Sequence, residues 1–307
     1  HNPGAQSMFR RMQLGVNAID VINAPEIAEA FDKSLASSEP IELNIKLGGL
    51  KRRYLNIRLV AFSAPEARSA DDLQVLWTIH DNTEQRQLDK TRTDFVAAAS
   101  HELRTPLASL VGFVETLQGP AKNDEKAREQ FLEIMAEQAR RMTRLIDDLL
   151  SLSKIEMNEF TTPDEIMSLY GAAQTTLDAL VVQAKERDIS LKLEGDKATQ
   201  VMGDYDQVSQ VLGNLTENAI KYGHKGSEVR VKISATSETN PDMASVEVID
   251  QSDGIAPKHL SRLTERFYRI DKARSREMGG TGLGLAIVKH IVARHGCKIN
   301  ISSVEGE

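Results

Sequence analysis

The residue types best suited to chemistry in this sequence lie in the octapeptide Ser100 to Leu107, which reads Ser-His-Glu-Leu-Arg-Thr-Pro-Leu. The surrounding residues have helical apolar spacing, so His101 and Thr105 would share one face, with Glu102 about 100° further round the axis. A neutral imidazole is a competent nucleophile near pH 7. A lone helical histidine with polar neighbours is, however, more often a solvated surface residue than a catalyst. The octapeptide therefore indicates catalysis only if a second site accompanies it.

A second group of polar residues, far downstream, has the spacing of a nucleotide site. Asn214, Asn218 and Lys221 occupy positions i, i+4 and i+7 of a predicted helix and so share one face. Amide oxygens can ligate Mg²⁺, and an ammonium group can hold a phosphate. Two asparagines on a helix are by themselves more often surface residues, so the interpretation depends on the segments that follow.

Three further segments follow in order. An apolar strand ends at Asp250 and a turn, residues 266–269 read Arg-Phe-Tyr-Arg, and the glycine-rich residues 279–286 open a predicted helix. Glycines at a helix start let backbone N–H groups approach phosphate oxygens, and the helix dipole favours that anion. One glycine-rich segment is weak evidence for a nucleotide site, whereas four ordered segments are strong evidence.

These motifs resemble those of the sensor histidine kinases of two-component signalling. Phe95 and residues 100–107 are similar to the family's phosphoacceptor motif, and residues 149–156 are similar to its second bundle helix. The four downstream segments are similar to the ATP-binding domain of the gyrase/Hsp90/histidine kinase/MutL type. The resemblance implies an ATP-dependent kinase that autophosphorylates His101 and transfers the phosphoryl group to an aspartate of a response regulator.

The resemblance also assigns roles to individual residues. It implies that Glu102 is a general base on the imidazole, that Asp250 accepts from the adenine amino group and that Arg269, in a mobile lid at 257–280, lies near the γ-phosphate. Tyr222 is expected beside the base. Mg²⁺ and the phosphates are assigned to Asn214, Asn218 and Lys221, with the two asparagines as metal ligands. Further contacts with ATP are assigned to Gly254, Gly280, Gly282, Leu283 and Gly284.

Ser252 departs from the family pattern, because it occupies the position of the first glycine in the turn after Asp250. If that position needs a positive φ, serine there is strained, and Ser252→Gly is expected to tighten nucleotide binding. The alternative is an allowed conformation with a compensating hydrogen bond from the hydroxyl. The sequence does not decide between these two conformations.

Two other functions compete with the kinase. In the first, the protein acts mainly as a phosphatase, with Thr105 positioning water against the phosphorylated regulator. In the second, it is a non-catalytic dimeric scaffold with a vestigial nucleotide site. Asn218, Asp250 and Gly282 count against the scaffold, and Ser252 counts slightly for it.

Length and composition limit the number of domains, the class of partner and the cellular setting. A chain of 307 residues suggests two or three domains, and a net charge of −7 argues against a nucleic-acid partner. Cys297 is the only cysteine, so no intrachain disulfide can form and a reducing cytoplasmic setting is favoured. No apolar run approaches the about 18 residues of a membrane helix. We expect a cytoplasmic fragment, with membrane contact only through a segment outside this chain.

The apolar patterns predict a multidomain α+β protein. Residues 1–85 combine a helix from Pro25 with strands at 41–47, 54–62 and 73–79, which is similar to a PAS sensor domain. Residues 159–307 predict an α/β sandwich, with helices at 171–187 and 206–222 and strands at 190–193, 228–234 and 245–250.

Residues 86–158 between them predict a helical hairpin, with one helix ending at Gly119 and the next starting near Asp124. Apolar residues of the second helix repeat with coiled-coil spacing. This seam comprises Phe131, Met135, Met142, Leu145, Leu149 and Leu152, with Gln138 filling one position. One hairpin cannot bury both helical stripes, so we expect a homodimer whose two hairpins form an antiparallel four-helix bundle, with Met142 and Leu145 at the interface.

Overall fold

The computed structural model of this protein describes residues 3–9, 16–37, 39–48, 52–63, 73–157, 161–236, 243–271 and 278–306. The chain divides into two compact units, residues 1–97 and residues 98–307, each with its own set of internal contacts. Within the described ranges, no helix combines the length and the apolar character needed to cross a membrane.

The first unit is a three-stranded antiparallel sheet with a helix packed on it. Its helices are α1 (Pro3–Met8), α2 (Ala18–Ile22) and α3 (Pro25–Ser37), and its strands are β1 (Ile41–Leu47), β2 (Arg53–Ser63) and β3 (Leu73–Asp81), in the order β1-β2-β3. On the central strand Leu55, Ile57 and Leu59 alternate with more exposed residues, and they pack with Ile27 of α3 in one core. The predicted helix and three strands are present in this unit.

A long helix leads out of the sheet and forms a hairpin with the next one. These helices are α4 (Thr83–Gln118), which spans the division between the two units, and α5 (Glu125–Met157). The turn between them is closed by Asp124, whose carboxylate accepts from the backbone N–H of Ala127 at 2.9 Å. The rings of Phe113 and Phe131 meet across the hairpin at 5.1 Å.

The hairpin has a second apolar face in addition to the one between its helices. Leu145 and Leu152 of the predicted seam are 5% and 1% exposed, so contacts within the chain already bury them. The prediction that Leu145 lies at a subunit interface is therefore wrong. The apolar side chains that stay exposed on the hairpin from residue 98 onward include Leu107, Val111, Val114, Leu132, Ile146 and Leu150, which we call the exposed stripe.

The rest of the second unit is an α/β sandwich. Its strands are β4 (Ile166–Ser168), β5 (Ser190–Gly195), β6 (Gln200–Met202), β7 (Glu228–Ser234) and β8 (Ser245–Ile249), and its helices are α6 (Leu169–Glu186), α7 (Tyr205–Tyr222), α8 (Pro257–Leu260) and α9 (Gly284–Arg294). β5 pairs with β7 in parallel, β7 pairs with β8 antiparallel, and β4 pairs separately with β6. Val229, Val231 and Ile233 alternate along β7 and turn their side chains into the core below α6 and α7.

Helix α7 is oriented by its cap and its apolar face. The Asp204 carboxylate accepts from the backbone N–H of Gln207 at 3.1 Å and caps the helix. Leu212, Ala219 and Ile220 are buried, which directs the predicted polar face away from the sheet. Helix α9 packs against α7 and also against α5, so the segments with the predicted nucleotide motifs lie beside the hairpin.

Candidate active site

The histidine at the centre of the octapeptide is accessible. His101 and Thr105 are both exposed on α4, and Pro106 is buried inside the same helix. The hydroxyl of Thr105 donates to the carbonyl oxygen of His101 at 3.2 Å, which is a bond along one turn of the helix. The structure therefore presents both residues on the hairpin surface, as the helical spacing predicts.

Glu102, next to that histidine, is held by two arginines. Its Oε2 accepts from Nη2 of Arg141 on α5 at 3.3 Å and from Nη2 of Arg269 at 3.2 Å. The Arg269 side chain is 5% exposed, and its Nη2 also donates to the carbonyl oxygen of Thr281 at 2.6 Å. Arg269 thus joins the predicted base to the glycine-rich loop.

Further polar contacts join α5 to the ATP-binding segments. The Thr281 hydroxyl donates to Oδ2 of Asp148 at 2.6 Å, and Arg266 forms an ion pair with Glu156. Burial raises the pKa of Asp148, although the Thr281 hydrogen bond opposes that shift. The sequence analysis missed Arg141, Asp148 and Thr281, because helical spacing does not reveal which side chain meets a distant loop.

The two asparagines of α7 face the start of α9. A Cβ atom added at Gly284 would lie 3.2 Å from Oδ1 of Asn214, so a larger residue would crowd that amide. Nδ2 of Asn214 is buried and has no hydrogen-bond partner in the described part of the chain. Asn218 lies one turn further on the same face and is half-buried. An orphaned buried N–H donor beside a glycine at a helix start fits an anion such as a phosphate, whereas the amide oxygens of the two asparagines are of the type that ligates Mg²⁺.

Lys221 completes the polar face of α7. Burial, followed by the charges of Arg269 and Arg144, lowers its pKa from 10.5 to about 8. Its Nζ lies 5.5 Å from the ring centroid of Tyr222, the last residue of the helix. The structure therefore brings Lys221 and Arg269 into one electrostatic cluster, as expected for two residues assigned to the same phosphates.

The glycine-rich loop is shaped by two left-handed glycines. Gly279 and Gly282 have φ values of 68° and 76°, and a Cβ atom at Gly282 would lie 3.0 Å from Cα of Phe267. The backbone N–H of Phe267 donates to the carbonyl oxygen of Gly282 at 2.8 Å, and Phe267 is itself left-handed, with a φ of 61°. Gly280 lies between the two glycines in the same loop.

The loop ends at the start of α9, where the side chain of the N-cap residue Leu283 makes no capping hydrogen bond and its backbone N–H donates to the Thr281 hydroxyl at 3.3 Å. Leu283, which was assigned to ATP, is fully buried. The positive end of the helix is thus left for an anion.

The predicted adenine end lies at the turn after β8. Asp250 directly follows the strand and is exposed. Gly254 has a φ of 71°, and a Cβ atom there would lie 2.0 Å from the carbonyl oxygen of Val304. The backbone N–H of His224 donates to the carbonyl oxygen of Gln251 at 2.8 Å, so this turn is tied to the end of α7 near Tyr222.

Ser252 does not have the strained conformation that the sequence analysis considered. The described non-glycine residues with left-handed φ are Asn23, Asp188 and Phe267. Ser252 instead forms an antiparallel bridge with Gly223. The expectation of strain at Ser252 is therefore wrong, because the bridge keeps its backbone in a region that serine readily adopts.

Only part of the predicted lid at 257–280 can be compared with the structure, because residues 272–277 lie outside the described ranges. Its first part forms α8 and a series of turns. The guanidinium of Arg262 lies 4.2 Å from the ring centroid of Tyr268, whose hydroxyl is 2.6 Å from Nδ1 of His259.

Two family models match the chain in the order of these sites. The model described as His Kinase A (phospho-acceptor) domain matches residues 91–158, and the model described as Histidine kinase-, DNA gyrase B-, and HSP90-like ATPase matches residues 203–307. The first match contains His101, and the second contains the polar face of α7 and the glycine-rich loop. The chain belongs to the sensor histidine kinases. The resemblance inferred from the octapeptide and the four downstream segments is thereby confirmed.

Individual relatives agree with this family. The phosphate regulon sensor protein PhoR of Pseudomonas aeruginosa is 35% identical over 291 residues, which cover 94% of this histidine kinase and 62% of the relative. The sensor histidine kinase WalK of Bacillus subtilis is 34% identical over 253 residues, covering 82% and 41%. The chain thus spans about half the length of these relatives. A solved structure of the Acinetobacter baumannii histidine kinase AdeS has 26% identity and a TM-score of 0.48, covering 63% of this chain and 86% of that chain.

Proposed function

We propose that this histidine kinase transfers the γ-phosphoryl group of ATP to His101 and then to an aspartate of a response regulator. The observation that carries the proposal is the position of Glu102. This residue follows the exposed His101 and shares Arg269 with the glycine-rich loop, so the predicted acceptor and nucleotide sites meet at one guanidinium.

In the first step, a ring nitrogen of His101 attacks the γ-phosphorus atom. The N–P bond forms as the bond to the β,γ-bridging oxygen breaks, ADP leaves, and the imidazole releases its proton. Glu102 is the proposed acceptor of that proton. Oε2 of Glu102 accepts from both Arg141 and Arg269 here, so the imidazole would contact the other carboxylate oxygen or replace one of the arginines. In the second step the phosphoryl group moves to the regulator's carboxylate.

Catalysis of such a transfer is mainly positioning and charge stabilisation. We assign the phosphates to Lys221, Arg269 and the backbone of the glycine-rich loop, and the adenine to Asp250 and Tyr222. Asn214 and Asn218 would hold Mg²⁺, and the ion, when bound, neutralises charge on the phosphates.

The proposal includes a homodimer formed through the exposed stripe. Leu107, Ile146 and Leu150 are 51%, 43% and 57% exposed. Exposed apolar side chains repeated along a hairpin are costly in water, and a second copy of the hairpin would supply a matching surface in a four-helix bundle.

We further propose the domain division that the sequence suggests. It comprises a PAS-like sensor domain at 1–85, a dimerisation and phosphotransfer hairpin at 86–158 and an ATP-binding domain at 159–307. The order of α3, β1, β2 and β3 supports the PAS-like assignment. The use of ATP supports a cytoplasmic setting for the domain that binds it.

A phosphatase activity on the phosphorylated regulator is a second candidate, because Thr105 is exposed one turn from His101. Its hydroxyl can rotate from the backbone carbonyl to position a water. We expect Thr105→Ala to keep autophosphorylation and to slow dephosphorylation of a purified phosphorylated receiver domain. An unchanged dephosphorylation rate would place this activity elsewhere.

The kinase proposal is tested by incubating the chain with γ-labelled ATP and Mg²⁺ and then treating the labelled protein with acid or base. Phosphohistidine is labile in acid and stable in base, so the label should be lost in acid alone. An acid-stable label would indicate phosphorylation of a hydroxyl group and would contradict the proposal.

A further inference from the structure

Arg144, on α5, reaches the glycine-rich loop from the hairpin side. Its Nη2 lies 2.9 Å, and its Cζ 3.6 Å, from the position that a Cβ atom would take at Gly279. With a φ of 68°, Gly279 has a conformation that side chains disfavour, and its missing side chain leaves the space that the guanidinium uses. The contact therefore depends on glycine at this end of the loop.

Arg144 makes no close ion pair with a described residue, although its charge acts to lower the pKa of Asp148 and of Glu217. Its side chain is exposed, and the ion pairs that α5 makes with described residues use Arg128, Arg141 and Glu156. Asp148 lies one turn further along the helix, but its Oδ2 accepts the Thr281 hydroxyl.

Three cations meet at this end of the site. Arg144 and Arg269 both lower the pKa of Lys221, so both charges act on that ammonium group. Glu102 pairs with Arg269, and Glu217 on α7 partly offsets the field at Lys221. A phosphate would add a further anion to this group, and it is one that a guanidinium binds with two parallel hydrogen bonds.

We infer that Arg144 is a nucleotide-contacting residue that the hairpin contributes to the ATP site, with its guanidinium on the terminal phosphate. This inference rests on the proposed ATP-dependent function and adds a residue to that site. Gly279 lies five residues before the start of α9 and faces Arg144 on α5, which forms a hairpin with the helix that carries His101. The phosphate nearest that side is the one that is transferred, so Arg144 distinguishes ATP from ADP.

The test is calorimetric titration of a non-hydrolysable ATP analogue and of ADP, each with Mg²⁺, into four proteins. These are the unaltered chain, Arg144→Ala, Arg144→Lys and the control Arg128→Ala, whose arginine pairs with Glu125 at the other end of α5. Loss of one charged hydrogen-bond partner should weaken binding of the analogue to Arg144→Ala about tenfold, and that of ADP less than about threefold. Arg144→Lys should recover part of the loss, since it keeps the charge but not the planar fork.

Two results would overturn the inference. Unchanged affinity of Arg144→Ala for the analogue would show that the guanidinium does not touch the phosphate. Equal loss for the analogue and ADP, together with a lower melting temperature, would show that Arg144 only supports the fold. If the unaltered chain binds nucleotide, either of these results refutes only the role of Arg144. If the unaltered chain binds no nucleotide, the proposed ATP-dependent function is refuted as well.

Discussion

At the level of single residues, Glu102 links the hairpin to the glycine-rich loop. Its carboxylate accepts from one arginine of the hairpin and from one beside that loop. In the proposed reaction Arg269 would serve the γ-phosphate and Glu102 would serve the imidazole, so both partners of this contact would take part.

The lowered pKa of Lys221 predicts how nucleotide affinity depends on pH. With a pKa of about 8 in the free protein, Lys221 is protonated below pH 8, and binding there requires no proton uptake. Bound phosphates favour the charged ammonium and raise its pKa, so above pH 8 binding must take up a proton. We expect the affinity for the Mg²⁺-bound analogue to be constant from pH 7 to 7.5 and to fall between pH 8 and 9.5.

The measurement is a series of calorimetric titrations in buffers of different ionisation enthalpy, which count the protons taken up. Lys221→Arg is the matched control, because arginine stays charged over this range. An equally steep fall in affinity for Lys221→Arg would exclude Lys221 as the cause.

Ser252 provides a prediction opposite to the one that strain would suggest. Because its bridge with Gly223 needs no left-handed backbone, Ser252→Gly relieves nothing. We expect nucleotide affinity to change less than about twofold and stability to fall by about 0.5 to 1 kcal/mol, since glycine loses more backbone entropy on folding. Calorimetric titration and thermal denaturation test both values, and a tenfold gain in affinity would restore the strain explanation.

At the level of elements, the hairpin has one apolar face that is buried within the chain and one that stays exposed, which we assign to the proposed dimer. Ile146 and Leu150 belong to the exposed stripe, whereas Leu145 is buried within the chain. We expect Ile146→Asp combined with Leu150→Asp to yield monomers by sedimentation, with helical content unchanged by circular dichroism, because these charges would be desolvated only in the dimer.

Leu145→Asp is the comparison variant for this experiment. A charge at that buried position should destabilise the hairpin by about 3 kcal/mol or more, whatever the oligomeric state. A monomeric unaltered chain, or a dimer that survives the double substitution, would contradict the assigned interface.

The sequence predicted the longer elements well, because each has a periodic apolar pattern. Strands β1 and β7 have the predicted bounds, and α4 ends one residue before Gly119. The pair β4 and β6 was missed, since three residues are too few to show alternation. The seam on α5 was detected, but its periodicity could not tell that Leu145 and Leu152 face their own chain while Ile146 stays exposed.

At the level of the whole molecule, the second unit depends on contacts between residues that are far apart in sequence. Glu102 and Arg269 are separated by 167 positions, and Asp148 and Thr281 by 133. Motifs located His101, Asn218 and the glycine-rich loop because their local spacing carries chemical meaning. No local pattern specifies which hairpin side chains meet the loop, so Arg141, Arg144 and Asp148 emerged only from the fold.

The central claim is that His101 receives the phosphoryl group of ATP, and site-specific labelling tests it most directly. His101→Gln and the control His80→Gln, which alters an exposed histidine of β3 in the first unit, are each incubated with γ-labelled ATP and Mg²⁺. We expect His101→Gln to carry no acid-labile label and His80→Gln to be labelled like the unaltered chain. Acid-labile label that persists on His101→Gln would contradict the claim.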